Sequence, residues 1–452
     1  MQPLLHELKS SMTTALTGSV LQTVGTTAAV ADFPAPVGAI VDIERQSGEP
    51  VRAEVIGFRD SHTIVYPYHS LSGVRRGSRV RLVRTARRVR VGPELLGRVI
   101  DAHGRCVDLL PQPVLVDRVR FDQAPLAAVQ RPRIDTALAT GVRAIDGLLC
   151  CGCGQRMGVF SGSGVGKSVL LGMMGRYTSA DVIVIALIGE RGREVNEFIE
   201  RDLGPQGLAR SVVVVATSDE PALVRVHAAD TATAVAEYFR DRGQNVLLLM
   251  DSVTRFAMAQ REIGLAAGEP PTTRGYPPSV FALLPKLVER AGRTPEGSIT
   301  AFYSVLVEGD DDSEPISDTV RGLLDGHTWL SRKIASRGHY PAIDVLSSIS
   351  RLVTEVATTE QRSDVQVIRE LLSAYRDHED LISIGAYRRG ANRAVDAAID
   401  MREAIDGFLR QDTDDQAELA NTRARLKQLA DQCRARLQGP QMTKAQAAPA
   451  AG

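Results

Sequence analysis

The pattern of hydrophobic and polar positions divides the chain into successive regions, and the first region predicts strands. Short β-branched runs, separated by turns that contain glycine or aspartate, occupy residues 37–41, 53–58, 63–66 and 78–83. Regular short strands with such turns are typical of a small β-barrel. We therefore expect a β-barrel domain over residues 25–92, after an N-terminal segment, 1–24, whose leucines recur at helical spacing.

The second region, residues 93–363, alternates between two kinds of element. Apolar runs that predict strands lie at 182–188, 212–216, 246–250 and 299–306, and helical segments such as 231–242 and 253–262 lie between them. Strands that alternate with helices predict an α/β domain with a mainly parallel sheet covered on both faces. In such a domain, phosphate groups bind at the carboxyl ends of the strands.

The third region, residues 364–437, contains no convincing strand, and its apolar residues recur at the spacing of helices. It predicts a C-terminal helical domain. The final residues, 438–452, are mostly Ala, Pro, Gln and Gly, and this composition predicts a disordered tail.

Composition and charge disfavour proteins that bind nucleic acid, span a membrane or are secreted. The 452 residues suffice for two or three domains, and 54 basic residues balance 54 acidic ones. Eight arginines lie between residues 75 and 90, but few aromatic residues accompany them, so we interpret them as a solvated face and expect no nucleic acid. The longest apolar run, 182–188, is far shorter than a membrane span, and the N-terminus does not resemble a signal peptide. These features predict a cytosolic protein.

The cysteines are few and three of them crowd together, at Cys150, Cys151 and Cys153. A zinc site needs a second pair of ligands at suitable spacing, and none is evident. We interpret the cluster as small, partly buried side chains in a reducing compartment.

The most informative stretch is an apolar strand, 157–160, followed by a glycine-rich turn and then by a helix from residue 169. This order is that of a P-loop, in which backbone N–H groups and a helix N-terminus surround a phosphate. Ser161 stands where the first glycine is usual, but the later glycines keep the freedom that the loop needs. The predicted nucleotide-binding residues are Gly162, Ser163, Gly164, Val165, Gly166, Lys167, Ser168 and Val169.

Five side chains would supply the chemistry expected of phosphoryl transfer to water. Lys167 would reach the β- and γ-phosphates, and the Ser168 hydroxyl would ligate Mg²⁺. Asp251 ends the apolar run 246–250, which is the Walker B arrangement for a second Mg²⁺ ligand; the alternative is an ordinary aspartate at a strand end. Glu190 follows another apolar run and could face the water that attacks the γ-phosphate, with Arg191 beside it; alternatively these two residues form a surface turn.

Six stretches, in order, carry a family resemblance: 188–195, 251–256, 260–262, 268–271, 275–281 and 338–344. They resemble the type III secretion ATPases, which are relatives of the catalytic subunit of the rotary ATP synthases. The resemblance extends from about residue 25 to 435. It covers two sister groups, the flagellar export ATPase and the virulence injectisome ATPase. Residues 162–174, 308–311 and 338–341 are more similar to the flagellar branch, whereas 216–219 and 236–241 fit either.

The resemblance implies a RecA-like P-loop NTPase core between an N-terminal β-barrel and a C-terminal helical domain. It implies a homohexamer with ATP and Mg²⁺ at sites between neighbouring subunits. Glu190 would orient the attacking water, and Arg191 would contact the γ-phosphate. Arg351 matches an arginine finger donated by the adjacent subunit, and Tyr340 matches the ring that packs on adenine. The alternative for Arg351 is an ion pair within its own subunit.

The function implied is the ATP-hydrolysing motor of a type III protein export apparatus, more similar to the flagellar one than to the injectisome. The expected partners are stalk and regulator proteins, chaperone–substrate complexes and a membrane export gate. The expected location is the cytoplasm, peripheral at the inner face of the cell membrane. Two departures from the family are the pair Thr328 and Trp329, where aliphatic residues are usual, and the cysteine cluster.

Two other classes of protein remain open. A hexameric RNA helicase or other nucleic-acid translocase shares the core and the preceding barrel, but the neutral charge and the few aromatic residues of the barrel disfavour it. A non-catalytic subunit that binds ATP without hydrolysing it would typically have an uncharged residue at position 190, where this chain has a carboxylate.

Overall fold

The computed structural model describes residues 16–121, 123, 127–307 and 314–438. The leucine pattern before residue 16, the stretch 308–311 and the predicted tail from residue 439 onward lie outside these residues.

Six antiparallel strands close into a barrel in the order β1-β2-β5-β4-β3-β6. They are β1 (Thr17–Val24), β2 (Thr27–Ala31), β3 (Ile40–Ile43), β4 (Val51–Arg59), β5 (His62–Pro67) and β6 (Arg79–Arg84). Alternate residues of β4 point inward, so Val51, Ala53 and Val55 are buried while their neighbours are partly exposed. The predicted β-barrel is therefore present.

The barrel begins earlier than the sequence predicts. Strand β1 pairs with both β2 and β6 and so closes the barrel, although residues 1–24 were expected to be a separate segment with helical spacing. Only Val20 of β1 is buried, and the next residue, Leu21, is partly exposed like the glycine and serine before Val20. A strand with one buried residue lacks the alternation that would reveal it in the sequence.

The central domain is built on a nine-stranded sheet. Its strands run in the order β19-β18-β12-β17-β15-β13-β14-β8, with β16 beside β17. Every pairing is parallel except those of β16 and β19, so the predicted mainly parallel sheet is confirmed. The strands from β7 onward are β7 (Arg88–Val91), β8 (Arg98–Asp101), β9 (Asp117–Arg120), β10 (Ala137–Leu138), β11 (Cys151–Gly152), β12 (Arg156–Ser161), β13 (Val182–Glu190), β14 (Ser211–Thr217), β15 (Asn245–Asp251), β16 (Gly292–Arg293), β17 (Ser298–Leu306), β18 (Gly326–Leu330) and β19 (Ile349–Ser350). Strands β7 and β9 form a separate antiparallel ribbon, and β10 pairs with β11.

Helices cover both faces of this sheet. They are α1 (Arg143–Leu148), α2 (Lys167–Tyr177), α3 (Gly192–Glu197), α4 (Gly204–Ala209), α5 (Ala222–Arg240), α6 (Val253–Ala267), α7 (Pro278–Val288), α8 (Pro315–Leu323), α9 (Arg332–Ala335), α10 (Val353–Val356), α11 (Thr359–Ser383), α12 (Arg393–Leu409) and α13 (Leu419–Gln438). Strand β13 shows why its sequence is continuously apolar. Val182 and Val184 belong to one hydrophobic core and Ile183 and Ile185 to the other, because alternate residues face opposite sides of the sheet.

The last three helices, α11 to α13, pack against one another and against α1, as expected for a C-terminal helical domain. Helix α11 begins before the predicted boundary at residue 364, with the Thr358 hydroxyl accepting a hydrogen bond from the Gln361 N–H. Gly147 of α1 allows Phe408 of α12 to pack closely, because a Cβ at position 147 would lie 3.0 Å from Phe408 Cζ. Among the described residues, no helix combines the length and the apolar character needed to cross a membrane.

Candidate active site

The P-loop connects the end of β12 to the start of α2. Its backbone turns at Gly164 and Gly166, whose φ angles of 76° and 89° lie in the left-handed region that favours glycine. Ser161 is the last residue of β12 and has extended backbone, so the glycine that is usual at this position is not needed. The predicted strand, loop and helix are therefore present in that order.

Three predicted residues come together at the carboxyl ends of neighbouring strands. Lys167 begins α2, Glu190 ends β13 and Asp251 ends β15, which pairs with β13. The Lys167 ammonium forms an ion pair with Asp251, and its Nζ lies 3.9 Å from Glu190 Oε1. These side chains are mostly buried, which strengthens the interaction between their charges.

Ser304 supports this cluster, and the sequence did not identify it. Its hydroxyl donates a hydrogen bond of 2.7 Å to Asp251 Oδ1, and the residue is fully buried. Ser304 lies on β17, which runs between β12 and β15. Ser304 is one of several hydroxyl-bearing residues of β17, so its type gives no signal, and only the position of that strand in the sheet connects it with Asp251.

The Glu190 carboxyl group has a pKa near neutral pH. Burial and the negative charge of Asp251 together raise the pKa of Glu190 to about 7, although the positive charge of Lys167 opposes both effects. A general base works best when its pKa lies near the operating pH. The pKa of this carboxyl group is therefore one that would suit a general base at neutral pH.

Arg191 follows Glu190 but lies outside the cluster. Its side chain is 80% exposed, and its Nη1 lies 3.5 Å from Glu194 Oε1. The guanidinium therefore faces solvent beside the loop in this structure.

Tyr340 lies against the P-loop. A Cβ at Gly166 would be 3.4 Å from Cδ1 of the Tyr340 ring, so the ring covers the end of the loop. Nearly half of the Tyr340 surface, 47%, remains exposed. An exposed aromatic face next to a phosphate loop can stack on a nucleotide base.

Arg351 lies at the opposite end of the sheet from the P-loop of its own chain. It directly follows β19, where Ser350 pairs with Gly326, and Gly326 in turn pairs with Met157 near the start of β12. Ser161 ends β12 roughly 13 Å further along the strand direction, at about 3.3 Å per residue. Arg351 is exposed, and its guanidinium has no ion pair with any described residue. The alternative of an ion pair within the subunit therefore has no support in the described part of the chain.

The oxygen atoms near Lys167 are suited to Mg²⁺. This ion prefers oxygen ligands and is usually held by one or two protein groups together with substrate phosphates and water. Ser168 supplies an exposed hydroxyl on the first turn of α2, and Asp251 supplies a carboxylate. Magnesium bound there would neutralise phosphate charge during hydrolysis.

The two departures from the family pattern lie away from these groups. Trp329 stacks on Phe160, with ring centroids 5.8 Å apart, and Thr328 is fully buried. Cys150 and Cys151 are buried free thiols, and Cys153 is a partly buried one. Burial raises the pKa of the Cys150 thiol to about 12, so it remains protonated and poorly reactive at neutral pH.

Comparison with known proteins agrees with this geometry in all three domains. The nucleotide-binding domain of the ATP synthase alpha/beta family matches residues 141–350, and the β-barrel domain of that family matches 20–83. The T3SS EscN ATPase C-terminal domain matches 357–428.

Relatives and solved structures extend the match to most of the chain. A flagellum-specific ATP synthase of Bacillus subtilis (strain 168) is 52% identical over 412 residues, which are 91% of this chain and 93% of the relative. A type 3 secretion system ATPase of Xanthomonas euvesicatoria is 49% identical over 415 residues, which are 92% of this chain and 94% of the relative.

The assembled ATPase EscN from the type III secretion system of enteropathogenic E. coli has a TM-score of 0.87 at 46% identity. The same ATPase in complex with its central stalk EscO has a TM-score of 0.85 at 45% identity, and each match covers 91% of this chain and 100% of the other. The predicted fold and resemblance are confirmed. The chain belongs to the family of ATPases formed by the flagellum-specific ATP synthases and the type 3 secretion system ATPases.

Proposed function

We propose that this chain hydrolyses ATP to drive protein export through a type III apparatus, and that the apparatus is the flagellar one. The observation that carries the ATPase function is the cluster of Lys167, Glu190 and Asp251 beside the P-loop. The flagellar assignment is supported by flagellum-specific ATP synthases of several bacteria that are 50–52% identical to the chain.

The charges of Lys167, Glu190 and Asp251 explain how the site would bind the phosphates of ATP. The Lys167 ammonium forms an ion pair with Asp251 and lies 3.9 Å from Glu190 Oε1. When ATP enters, its β- and γ-phosphates replace these carboxylates as partners of the ammonium, and the N–H groups of the loop surround the phosphates. Ser168 and Asp251 are the proposed Mg²⁺ ligands.

Glu190 then faces the γ-phosphate as the general base. It accepts a hydrogen bond from a water molecule, whose oxygen forms the new bond to the γ-phosphorus. The bond between that phosphorus and the β–γ bridging oxygen breaks, which leaves ADP and inorganic phosphate. The proton released by the water passes to the Glu190 carboxylate, whose pKa of about 7 suits both gain and loss of a proton.

The charge that develops on the transferred phosphoryl group needs further cations. Arg191 lies next to Glu190 and would turn from Glu194 towards the γ-phosphate. Arg351 cannot reach the P-loop of its own chain along the sheet, so we assign it to the site of a neighbouring subunit in a homohexamer. A planar guanidinium matches a charged phosphoryl group better than an ammonium does.

The proposed partners follow from the family. One relative has been solved as an assembled ATPase and another structure contains its central stalk, so we propose a ring of identical subunits around a stalk protein. Regulator proteins, chaperone–substrate complexes and a membrane export gate are the further partners we propose. The protein would then act at the inner face of the membrane, where export substrates are released from their chaperones.

The proposal is tested by replacing the chromosomal gene with one that encodes Glu190→Gln. We expect the export of flagellar proteins into the medium to cease, and expression of the natural chain to restore it. Loss of injectisome substrates instead, with flagellar export intact, would assign the chain to the other branch. Purified protein should hydrolyse ATP at the same rate with and without homopolymeric RNA; strong stimulation would favour a nucleic-acid translocase.

A further inference from the structure

We propose that Gln411 is a positioning residue that fixes Tyr340 against the P-loop and thereby sets the affinity for the adenine base. The inference rests on the proposed contact between Tyr340 and adenine. Gln411 lies in the loop 410–415 between α12 and α13, so it belongs to the C-terminal helical domain rather than to the P-loop domain.

The main chain makes the direct connection. The Gln411 N–H donates a hydrogen bond of 3.0 Å to the Tyr340 carbonyl oxygen. The ring of the same tyrosine lies against Gly166. Movement of the Gln411 backbone would therefore shift the ring that covers the end of the P-loop.

The Gln411 side chain holds its own backbone in place. The residue is only 4% exposed. Its Oε1 accepts a hydrogen bond of 2.8 Å from the Arg143 N–H. Its Nε2 donates to the carbonyl oxygens of Gly141 and Asp415, at 2.8 and 2.6 Å. Rotation of the amide would leave several buried polar groups without partners, which is costly, so the side chain has one favoured position.

Arg143 reinforces the same loop. Its Nε donates to the Phe408 carbonyl oxygen at 3.1 Å, and its remaining nitrogens contact Arg410 and Asp415. The side chain of Arg143 is 6% exposed, so these charge-assisted hydrogen bonds are shielded from water.

The loop also contacts the far end of the P-loop helix α2. The Thr413 carbonyl oxygen accepts hydrogen bonds from Arg176 Nη2, at 2.5 Å, and from the Tyr177 hydroxyl, at 3.1 Å. The first residue of α2 is Lys167. The loop 410–415 is thus attached both to the tyrosine proposed to bind the base and to the helix that carries the phosphate-binding lysine. A nucleotide that restrains Tyr340 and α2 would therefore also restrain the loop 410–415 and the helices α12 and α13 on either side of it.

The first test replaces Gln411 with alanine. The Gln411→Ala variant keeps the main-chain bond to Tyr340 but loses the side-chain bonds that hold it. We expect the KM for ATP to rise about tenfold, the effect of one buried polar interaction of ordinary strength, while kcat changes less than twofold. Inorganic pyrophosphate, which has no base, should compete for the P-loop with unchanged affinity. Equal loss of ATP and pyrophosphate affinity would overturn the inference.

Gln361 provides a matched control. It is a buried glutamine of α11 whose Nε2 donates to the carbonyl oxygens of Asp146 and Gly147 in α1, at 3.2 and 3.1 Å. Like Gln411 it joins the C-terminal domain to the central domain, but within the described part of the chain no hydrogen bond connects it with Tyr340. Gln361→Ala should lower the melting temperature without changing the KM for ATP. An equal rise in KM in both variants would show that any loosened contact between the domains has this effect.

A double-mutant cycle with Tyr340→Ala separates this inference from the role of Tyr340 itself. If Gln411 acts through Tyr340, the double variant should have the KM of Tyr340→Ala alone; additive effects would contradict the inference. If Tyr340→Ala raises KM but Gln411→Ala does not, only the positioning role is wrong. If Tyr340→Ala leaves KM unchanged, the adenine contact is wrong and the inference fails with it. Should Gln411→Ala not fold, Gln411→Glu retains the acceptor for Arg143 and replaces it in each comparison.

Discussion

The Lys167 ammonium and the Asp251 carboxylate form an ion pair where the phosphates of ATP would bind. These residues are far apart in the sequence, and the parallel order of β12, β17 and β15 brings them together. The ammonium therefore has a buried carboxylate as its partner within the chain. Phosphates that bind to the loop would compete with this carboxylate for the ammonium.

Replacement of Lys167 should abolish hydrolysis without unfolding the protein. In Lys167→Ala, the β- and γ-phosphates lose their compact cation, and Asp251 and Glu190 are left facing each other without a positive charge between them. We expect ATPase activity below detection, with an unchanged circular dichroism spectrum. Lys333→Ala is the control, because this exposed lysine pairs with Glu379 away from the P-loop. Hydrolysis by Lys167→Ala at the natural rate would refute the P-loop assignment.

Replacement of Glu190 should separate binding from turnover. Glu190→Gln keeps the shape of the side chain but cannot accept the proton of the attacking water. We expect kcat to fall by about 10²- to 10⁴-fold, the usual contribution of a general base, with ATP affinity nearly unchanged. Equilibrium binding of a fluorescent ATP analogue and single-turnover hydrolysis measure the two quantities. A variant that no longer binds nucleotide would make Glu190 a structural residue.

The pKa of Glu190 predicts a pH dependence. The base is active when ionised, and the pKa of about 7 is above the usual value for a glutamate. Activity is therefore present above pH 7 and is lost as the pH falls through about 7. Because kcat/KM reports the free enzyme, its pH profile should show this acid limb. Glu190→Gln should lack this limb; if it retains the limb, another group titrates.

The sequence predicted the strands that are buried on both faces and the loops that follow them, because both features are local. The run 182–188 and the glycine-rich turn after residue 160 needed no knowledge of the rest of the chain. Strand β1 was missed because it buries only Val20. Ser304 and Gln411 were missed for another reason. Their partners, Asp251 and Tyr340, are distant in the sequence. No local sequence motif predicts that a serine or a glutamine will contact such a distant residue.

The position of Arg351 predicts a catalytic site shared between two chains. Arg351 lies at the end of the sheet opposite to the P-loop of its own chain, so a role in catalysis would place it at the nucleotide of a neighbour. Arg351→Ala should lower kcat by roughly 10³-fold or more, as for other arginine fingers, with little change in nucleotide affinity. Arg351→Lys should restore little, because an ammonium lacks the planar fork. Arg362→Ala, at a partly exposed arginine of α11 whose Nη2 donates a hydrogen bond to the Thr359 hydroxyl, is the control and should retain activity.

Mixing two inactive proteins decides whether the finger acts between subunits. Lys167→Ala has an intact Arg351, and Arg351→Ala has an intact P-loop. In a mixed ring, some interfaces join an intact P-loop of one subunit to an intact Arg351 of the next, so activity should return in proportion to those interfaces. Subunit exchange is verified with differently labelled chains, and a mixture of Lys167→Ala with Glu190→Gln is the control, because both changes lie in the same chain's half of the site. No recovery despite proven exchange would place Arg351 outside the catalytic site.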